Sequence, residues 1–191
     1  MINDKFLKKL KDDYRANESE RRQIISASNN ILFEAKKNIF ALQRSDFKAA
    51  ETKMSDMEKA LKNLEERFGA ERLHKEGAYK AAAEEYLEGK TLYLAIKNKP
   101  IEAVKGISLD YESYLGGVCD MIGELVRYAT NRAAAGKFSE VAKIKKLAED
   151  IMGQLIDFDM TGYLRTKYDQ ARGHLRKLEQ MAYEIKLRGK K

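Results

Sequence analysis

Apolar positions recur at spacings of three, four and seven along almost the whole chain, which is the period of an amphipathic α-helix. Ile24, Ile25, Ile31, Leu32, Ala35, Ile39, Phe40 and Leu42 predict one long helix over residues 18–44. The first seventeen residues, with Phe6, Leu7 and Leu10, form an earlier helix or extend this one. Ser45-Asp46 is a break with a good N-cap residue. A second helix follows over 47–67. Its stripe of Ala50, Met54, Met57, Leu61, Leu64 and Phe68 steps by four and three in alternation, a seam suited to packing on another helix. Gly69 ends it.

Residues 70–97 read as a third helix, with Leu73, Ala81, Tyr86, Leu87, Leu92, Leu94 and Ile96 on its apolar side and Gly77 as a kink. Pro100 suits the first position of a short helix over 100–105. Residues 106–109 are a loop, and Asp110 caps a helix over 111–134 that Gly136 stops. A further helix runs from Lys137 or Ser139 to about residue 156, a loop covers 157–162, and a last helix spans 163–188. No linker, low-complexity stretch or internal repeat divides the chain. The expectation is an all-α fold, one domain over residues 1–191, built as a bundle of six or seven helices whose short connections make neighbours antiparallel.

Composition narrows this further. Charged residues make up 35 % of the 191, there is one proline and no tryptophan, which excludes a turn-rich β-sandwich. The single cysteine, Cys119, has no internal disulfide partner and fits a reducing compartment. No apolar run approaches the ~20 residues of a membrane span, and residues 1–11 lack the apolar core of a signal peptide. A cytoplasmic protein with no membrane association is expected. The net charge is +7, with two basic ends around a slightly acidic middle, which favours a polyanionic partner.

Helix 111–134 is unusual. Gly116, Gly117 and Gly123 lie inside a helical pattern, each at a cost of ~1 kcal/mol relative to alanine. Asp120, Glu124 and Arg127 share their stripe. On the third helix Glu85 and Glu88 project from one face, beside Ala81, Ala82, Ala83 and Gly89, with Glu84 as an outer contributor. Such spacings also occur on ordinary solvated faces, but a solvated face gains nothing from the glycines. If the two helices pack face to face, Glu85, Glu88, Asp120 and Glu124 converge as hard oxygen ligands for Mg²⁺ or Mn²⁺. Such an ion activates water against a phosphodiester. A di-iron site is a poor fit, because neither His74 nor His174 lies three residues after a glutamate. No Walker loop, GxGxxG or CxxC pair is present.

Cations for a nucleic-acid track are Arg21, Arg22, Lys36, Lys37 and Arg44 on the first long helix, then Arg72, His74 and Lys75 ahead of the carboxylates, with Arg127 beside the acids. Tyr79, Tyr86, Tyr93, Tyr111 and Tyr114 are either base-stacking residues or half-buried bundle residues.

Three segments carry a resemblance. Tyr114-Leu-Gly-Gly-Val-Cys-Asp-Met-Ile-Gly-Glu-Leu-Val-Arg127 resembles the signature helix of the translin superfamily, Leu178-Glu-Gln-Met-Ala-Tyr-Glu-Ile-Lys-Leu-Arg-Gly189 resembles its C-terminal end, and Lys36-Lys-Asn-Ile-Phe-Ala-Leu-Gln-Arg44 is similar to its first helix, with Gln43 where relatives often have histidine. Within the superfamily, translin binds single-stranded nucleic acid. Trax is a Mg²⁺-dependent endoribonuclease in a closed hetero-octameric shell. Glu85-Tyr-Leu-Glu88 and Asp120…Glu124 look like the Trax acids, at positions where the translin branch tends to be apolar. The resemblance therefore implies a Trax-like endoribonuclease that cuts single-stranded or short structured RNA, with single-stranded DNA as a further ligand, assembled as a homo-octamer. The chain lacks the basic N-terminal extension of Trax, and Arg72, His74 and Lys75 match the basic region of translin only loosely. The competing readings are a shell that holds RNA or DNA without cutting it, and a purely structural helical protein.

Overall fold

The computed structural model describes residues 2–188, so Gly189 of the C-terminal resemblance lies outside it. Helix α1 runs Asp4–Gln43, α2 Phe47–Phe68, α3 Ala70–Leu73, α4 Gly77–Ile96, α5 Tyr111–Ala134, α6 Phe138–Leu155 and α7 Gly162–Arg188, with a 3₁₀ turn at Ile156–Phe158. Among the described residues there is no strand, and the fold is all-α as expected.

Local chemistry sets most boundaries. The first-seventeen-residue segment extends α1 back to Asp4, because the Asn3 side chain accepts from the amides of Lys5 and Phe6 at 3.0 and 3.3 Å. Asp46 caps α2 and Asp110 caps α5, accepting from Ala49 and Ser113 at 3.1 and 2.8 Å. Gly69 and Gly136 leave α2 and α5 at φ +77° and +73°, where a Cβ would be strained.

Two expected helices differ from the structure. The helix over 70–97 is broken at 74–76 into α3 and α4. Glu76, only 8 % exposed, is held there by Arg72 at 2.6 Å and Arg21 at 3.5 Å, and its backbone carbonyl starts the next helix by accepting from Tyr79 and Lys80. Gly77 thus begins α4 rather than kinking a longer helix. The short helix over 100–105 does not form; that segment is irregular, with the Val104 amide donating to the Tyr114 hydroxyl at 2.6 Å.

The core is continuous. Ala50, Met54, Met57, Leu61 and Leu64 of α2 are buried, as their seam requires, and so are Ile24, Ile31, Ala35, Ile39 and Leu42 of α1. Phe40, expected in this stripe, is instead exposed. Side by side in space, α2 packs on α1, α1 on α4, and α4 on α5, while α5, α6 and α7 pack on one another.

Direction matters for the site. The tight turns make α1/α2, α5/α6 and α6/α7 antiparallel. By contrast α4 and α5 run parallel and in register: Lys80 meets Glu112, Glu84 meets Gly116, and Ala95 lines one cavity with Leu125. The connection over 97–110 makes this possible, since an extended chain of that length spans more than the ~30 Å of a twenty-residue helix.

Candidate metal and nucleic-acid site

The parallel register of α4 and α5 sets two acidic rows beside each other, and two glycines set how close they come. A Cβ on Gly117 would stand 2.8 Å from Leu87 Cβ, 2.9 Å from the Glu84 carbonyl and 3.0 Å from the Glu88 amide; one on Gly116 would lie 2.2 Å from Glu84 Oε2. These glycines are notches for helix packing rather than a cleared open face. Gly123 faces α7 instead, where a Cβ would lie 3.2 Å from His174 Nε2.

A cleft of about 510 Å³ opens here, lined among others by Lys36, Glu84, Glu85, Asp120, Tyr163 and Lys167. Lys167, on α7, reaches into it and pairs with both Asp120 and Glu84, the latter at 2.8 Å. The Tyr163 hydroxyl, one turn earlier, donates to Glu84 Oε1 at 2.7 Å. Burial works to lower the Lys167 ammonium, but the carboxylates outweigh it and hold the group above its ordinary value.

The four predicted acids sense one another without being equivalent. Burial, then the charges of Glu85, Asp120 and Glu124, push Glu88 up to about 8. Glu85 is also raised, by burial first, with Lys36 pulling against Asp120 and Glu124. Asp120 is raised by burial in spite of Lys167. Glu124 accepts from Gln43 Nε2 at 2.7 Å and lies 3.5 Å from Arg127; Gln43 in turn accepts from Asn131 at 3.2 Å. Among the described residues, neither the Glu85 nor the Glu88 side chain has a hydrogen-bond or ion-pair partner. His174 is held below its ordinary value by burial and then by Lys177, against Asp120 and Glu124.

The donor set fits a hard divalent cation. All four groups are carboxylates on neighbouring helices, and two of them, Glu85 and Glu88, have no ion-pair partner among the described residues, though Lys36 and Lys167 act on Glu85 and Lys167 on Glu88 from further off. Among the described residues, however, no three acidic, histidine or cysteine side chains already meet as a ligand cluster. Asp120 is instead paired with Lys167, and Glu124 accepts from Gln43.

The predicted cations separate into two groups. Arg72 is bound to Glu76, Lys75 to Glu71 at 2.8 Å, and a His74 ring nitrogen hydrogen-bonds the Ser108 carbonyl at 2.8 Å. None of the three lines the acidic cleft. Arg21 is exposed and tied to Glu18 and Glu76. Arg22 is exposed at some distance along α1. Lys36, Lys37 and Arg44 line a groove on α1 that adjoins the cleft through Lys36. Of the tyrosines, Tyr79, Tyr86 and Tyr93 are buried and Tyr111 is exposed. Cys119 is buried, its thiol pushed up to about 12 by burial. Lys167, Tyr163 and Gln43 were not among the candidate site residues; only a Tyr-x-x-x-Lys spacing on the last helix hinted at the first two.

The sequence matches the translin family over residues 19–189. The chain belongs to the translin family. Within the family, bovine translin is 30 % identical over 130 residues, covering 64 % of this chain and 55 % of the bovine protein. Chicken translin is 31 % identical over 87 residues, covering 44 % and 38 %. The chain thus spans about half or less of the curated translins it matches. An uncharacterised protein of Methanocaldococcus jannaschii is 28 % identical over 171 residues, covering 86 % of this chain and 76 % of that one. Among solved structures, apo-NeC3PO superposes with a TM-score of 0.81 at 24 % identity, covering 96 % of this chain and 97 % of its own. The AfC3PO–duplex RNA complex gives 0.82 at 21 %, covering 95 % and 96 %. These similarities establish the same fold.

Proposed function

We propose that this chain is a Trax-like, divalent-metal-dependent endoribonuclease that binds and cleaves single-stranded or short structured RNA. One observation carries the reading: Glu85 and Glu88 of α4 lie beside Asp120 and Glu124 of α5 across a glycine-notched contact, where burial and then the neighbouring acids push Glu88 up to about 8. A fold gains nothing by keeping a half-buried carboxylate without a partner among three others. A site that takes up a cation does gain.

Glu85, Glu88, Asp120 and Glu124 would hold Mg²⁺ or Mn²⁺, which supplies a water of lowered pKa and a counter-charge for the scissile phosphate. The protein's own groups do the rest. With a cation held there, Asp120 would serve as one of its ligands, and Lys167, now paired with Asp120 and Glu84, would be the cation placed to meet the phosphate. Arg127 balances Glu124, and Lys36 at the cleft mouth draws in the backbone. RNA as ligand is supported by AfC3PO, a fold relative captured with duplex RNA.

The N-terminal part of α1 supports assembly. From Asp4 to Asn17 every residue but the half-buried Leu7 is exposed, and Phe6, Leu10 and Tyr14 form an apolar stripe with no cover. Docking of this arm on further copies, up to a homo-octamer, would bury it. Among the described residues no helix is long and apolar enough to cross a membrane.

The pairing of Lys167 with Asp120 and Glu84 favours a second reading, in which the acids are neutralised internally and the chain holds RNA or single-stranded DNA without cutting it. Labelled RNA incubated with purified protein and Mg²⁺ or Mn²⁺ separates the two. Fragments that disappear in chelator and in Glu85→Gln support the nuclease. Retention of intact RNA under all conditions supports the holder.

A further inference from the structure

The groove on α1 next to the acidic cleft holds a second feature. Phe33 and Phe40 are 59 % and 52 % exposed. Seven residues apart, they lie on one face of the helix at a spacing of ~10 Å. Each carries a cation from the same helix: Lys37 Nζ is 4.1 Å from the Phe33 ring centre, and the Arg44 guanidinium is 5.4 Å from that of Phe40. The groove they line, about 610 Å³, also contains Lys36 and Lys53. Lys36 borders the acidic cleft as well, close enough to Glu85 to act on its charge. Lys37 and Lys53 share Glu34 at 2.8 and 2.6 Å, while Lys36 and Arg44 have no ion-pair partner among the described residues.

We propose that this groove is a docking track for single-stranded nucleic acid, in which unpaired bases stack on Phe33 and Phe40 and the backbone runs past Lys36 into the acidic cleft. Two exposed aromatic rings, each with a cation over one face, suit a ligand with alternating flat bases and anionic phosphates. A second copy docking by the same patch is disfavoured, because a two-fold contact would set Lys36, Lys37, Arg44 and Lys53 against their own counterparts. Continuity with the cleft through Lys36 gives the track a direction. Paired bases keep their faces inside the duplex, so the rings discriminate strand state while the cations do not. The proposal rests on the reading of this chain as an RNA binder, but it concerns binding alone.

The test measures binding of a fluorescent twelve-nucleotide oligouridylate, and of a blunt RNA duplex of equal length, to the full chain in EDTA across a salt series. Phe33→Ala/Phe40→Ala is expected to weaken single-strand binding about tenfold or more, to leave the salt slope unchanged, and to spare duplex binding. Lys36→Gln/Arg44→Gln is expected to lower the slope by about 0.7 per cation instead. Phe33→Leu/Phe40→Leu keeps the apolar volume and should lose single-strand affinity as well, which covers the case of an ill-folded alanine variant. Equal loss on single strand and duplex, or no loss on either, overturns the track. So does a change of mass in light scattering that accompanies the loss, which would assign the rings to a subunit contact. Because chelator stops any cleavage, these outcomes are independent of whether Glu85→Gln affects cutting.

Discussion

Lys167 of α7 and Asp120 of α5 form an ion pair inside the acidic cleft, and the same ammonium lies 2.8 Å from Glu84 of α4. One side chain thereby links three helices and fills, in charge, the role the other acids leave open.

A cation held by the chain competes with one from solution. Lys167→Met is expected to raise Mn²⁺ affinity about tenfold or more in isothermal titration calorimetry. In chelator the same variant should be less stable by ~2 kcal/mol, because Asp120 and Glu84 lose their partner in a half-buried setting. A purely structural clamp would show the stability loss without the gain in affinity.

Gly117→Ala should cost more than Gly123→Ala. At position 117 the new methyl meets the backbone of Glu84 and Glu88, which cannot move without parting α4 from α5, whereas at 123 it meets the edge of the His174 ring. Better helix propensity returns ~1 kcal/mol in each case. Thermal unfolding should show Gly117→Ala destabilised by ~1–2 kcal/mol net and Gly123→Ala close to neutral.

Glu88 makes stability depend on pH with a definite sign. Its folded value of about 8 stands above the ordinary 4.5, so between these values the folded chain binds more protons than the unfolded one. In chelator, stability from this group is therefore highest below pH 4.5, falls as pH rises toward 8, and levels off above it. Urea titrations should show that fall for the wild type and a flatter profile for Glu88→Gln.

Arg72 is already paired within the fold, which sets an expectation for its substitution. Its guanidinium secures Glu76 at the break between α3 and α4. Arg72→Gln should lower the melting temperature and leave RNA affinity and its salt slope unchanged, whereas Lys36→Gln should lower the slope and leave the melting temperature unchanged.

The bounds of α5 were readable because their causes are local: Asp110 caps one end and Gly136 closes the other. The same holds for the α2 seam, where each apolar residue is three or four from the next. Neighbouring positions were harder to separate. Ile39 and Phe40 are both apolar and one residue apart, and only the packing of α4 on α1 decides that Ile39 is buried and Phe40 is not. Glu84 and Glu85 pose the same problem, and the arrival of Lys167 gave Glu84 a larger part than its sequence context implied. The break at 74–76 was hidden because no glycine or proline sits at its centre; the burial of Glu76 beside the half-buried Arg72 accompanies it. For Lys167 the Tyr-x-x-x-Lys spacing is a faint signal, since a lysine on a charged terminal helix reads as solvated until α7 is laid against α5.

The central claim is that the facing acids of α4 and α5 hold a divalent ion. Anomalous diffraction from crystals soaked in Mn²⁺ tests it most directly. The account predicts a Mn²⁺ peak between the two helices, ligated by Glu85, Glu88, Asp120 and Glu124, with Lys167 turned away. An unchanged Lys167–Asp120 pair and no peak at millimolar Mn²⁺ would contradict it.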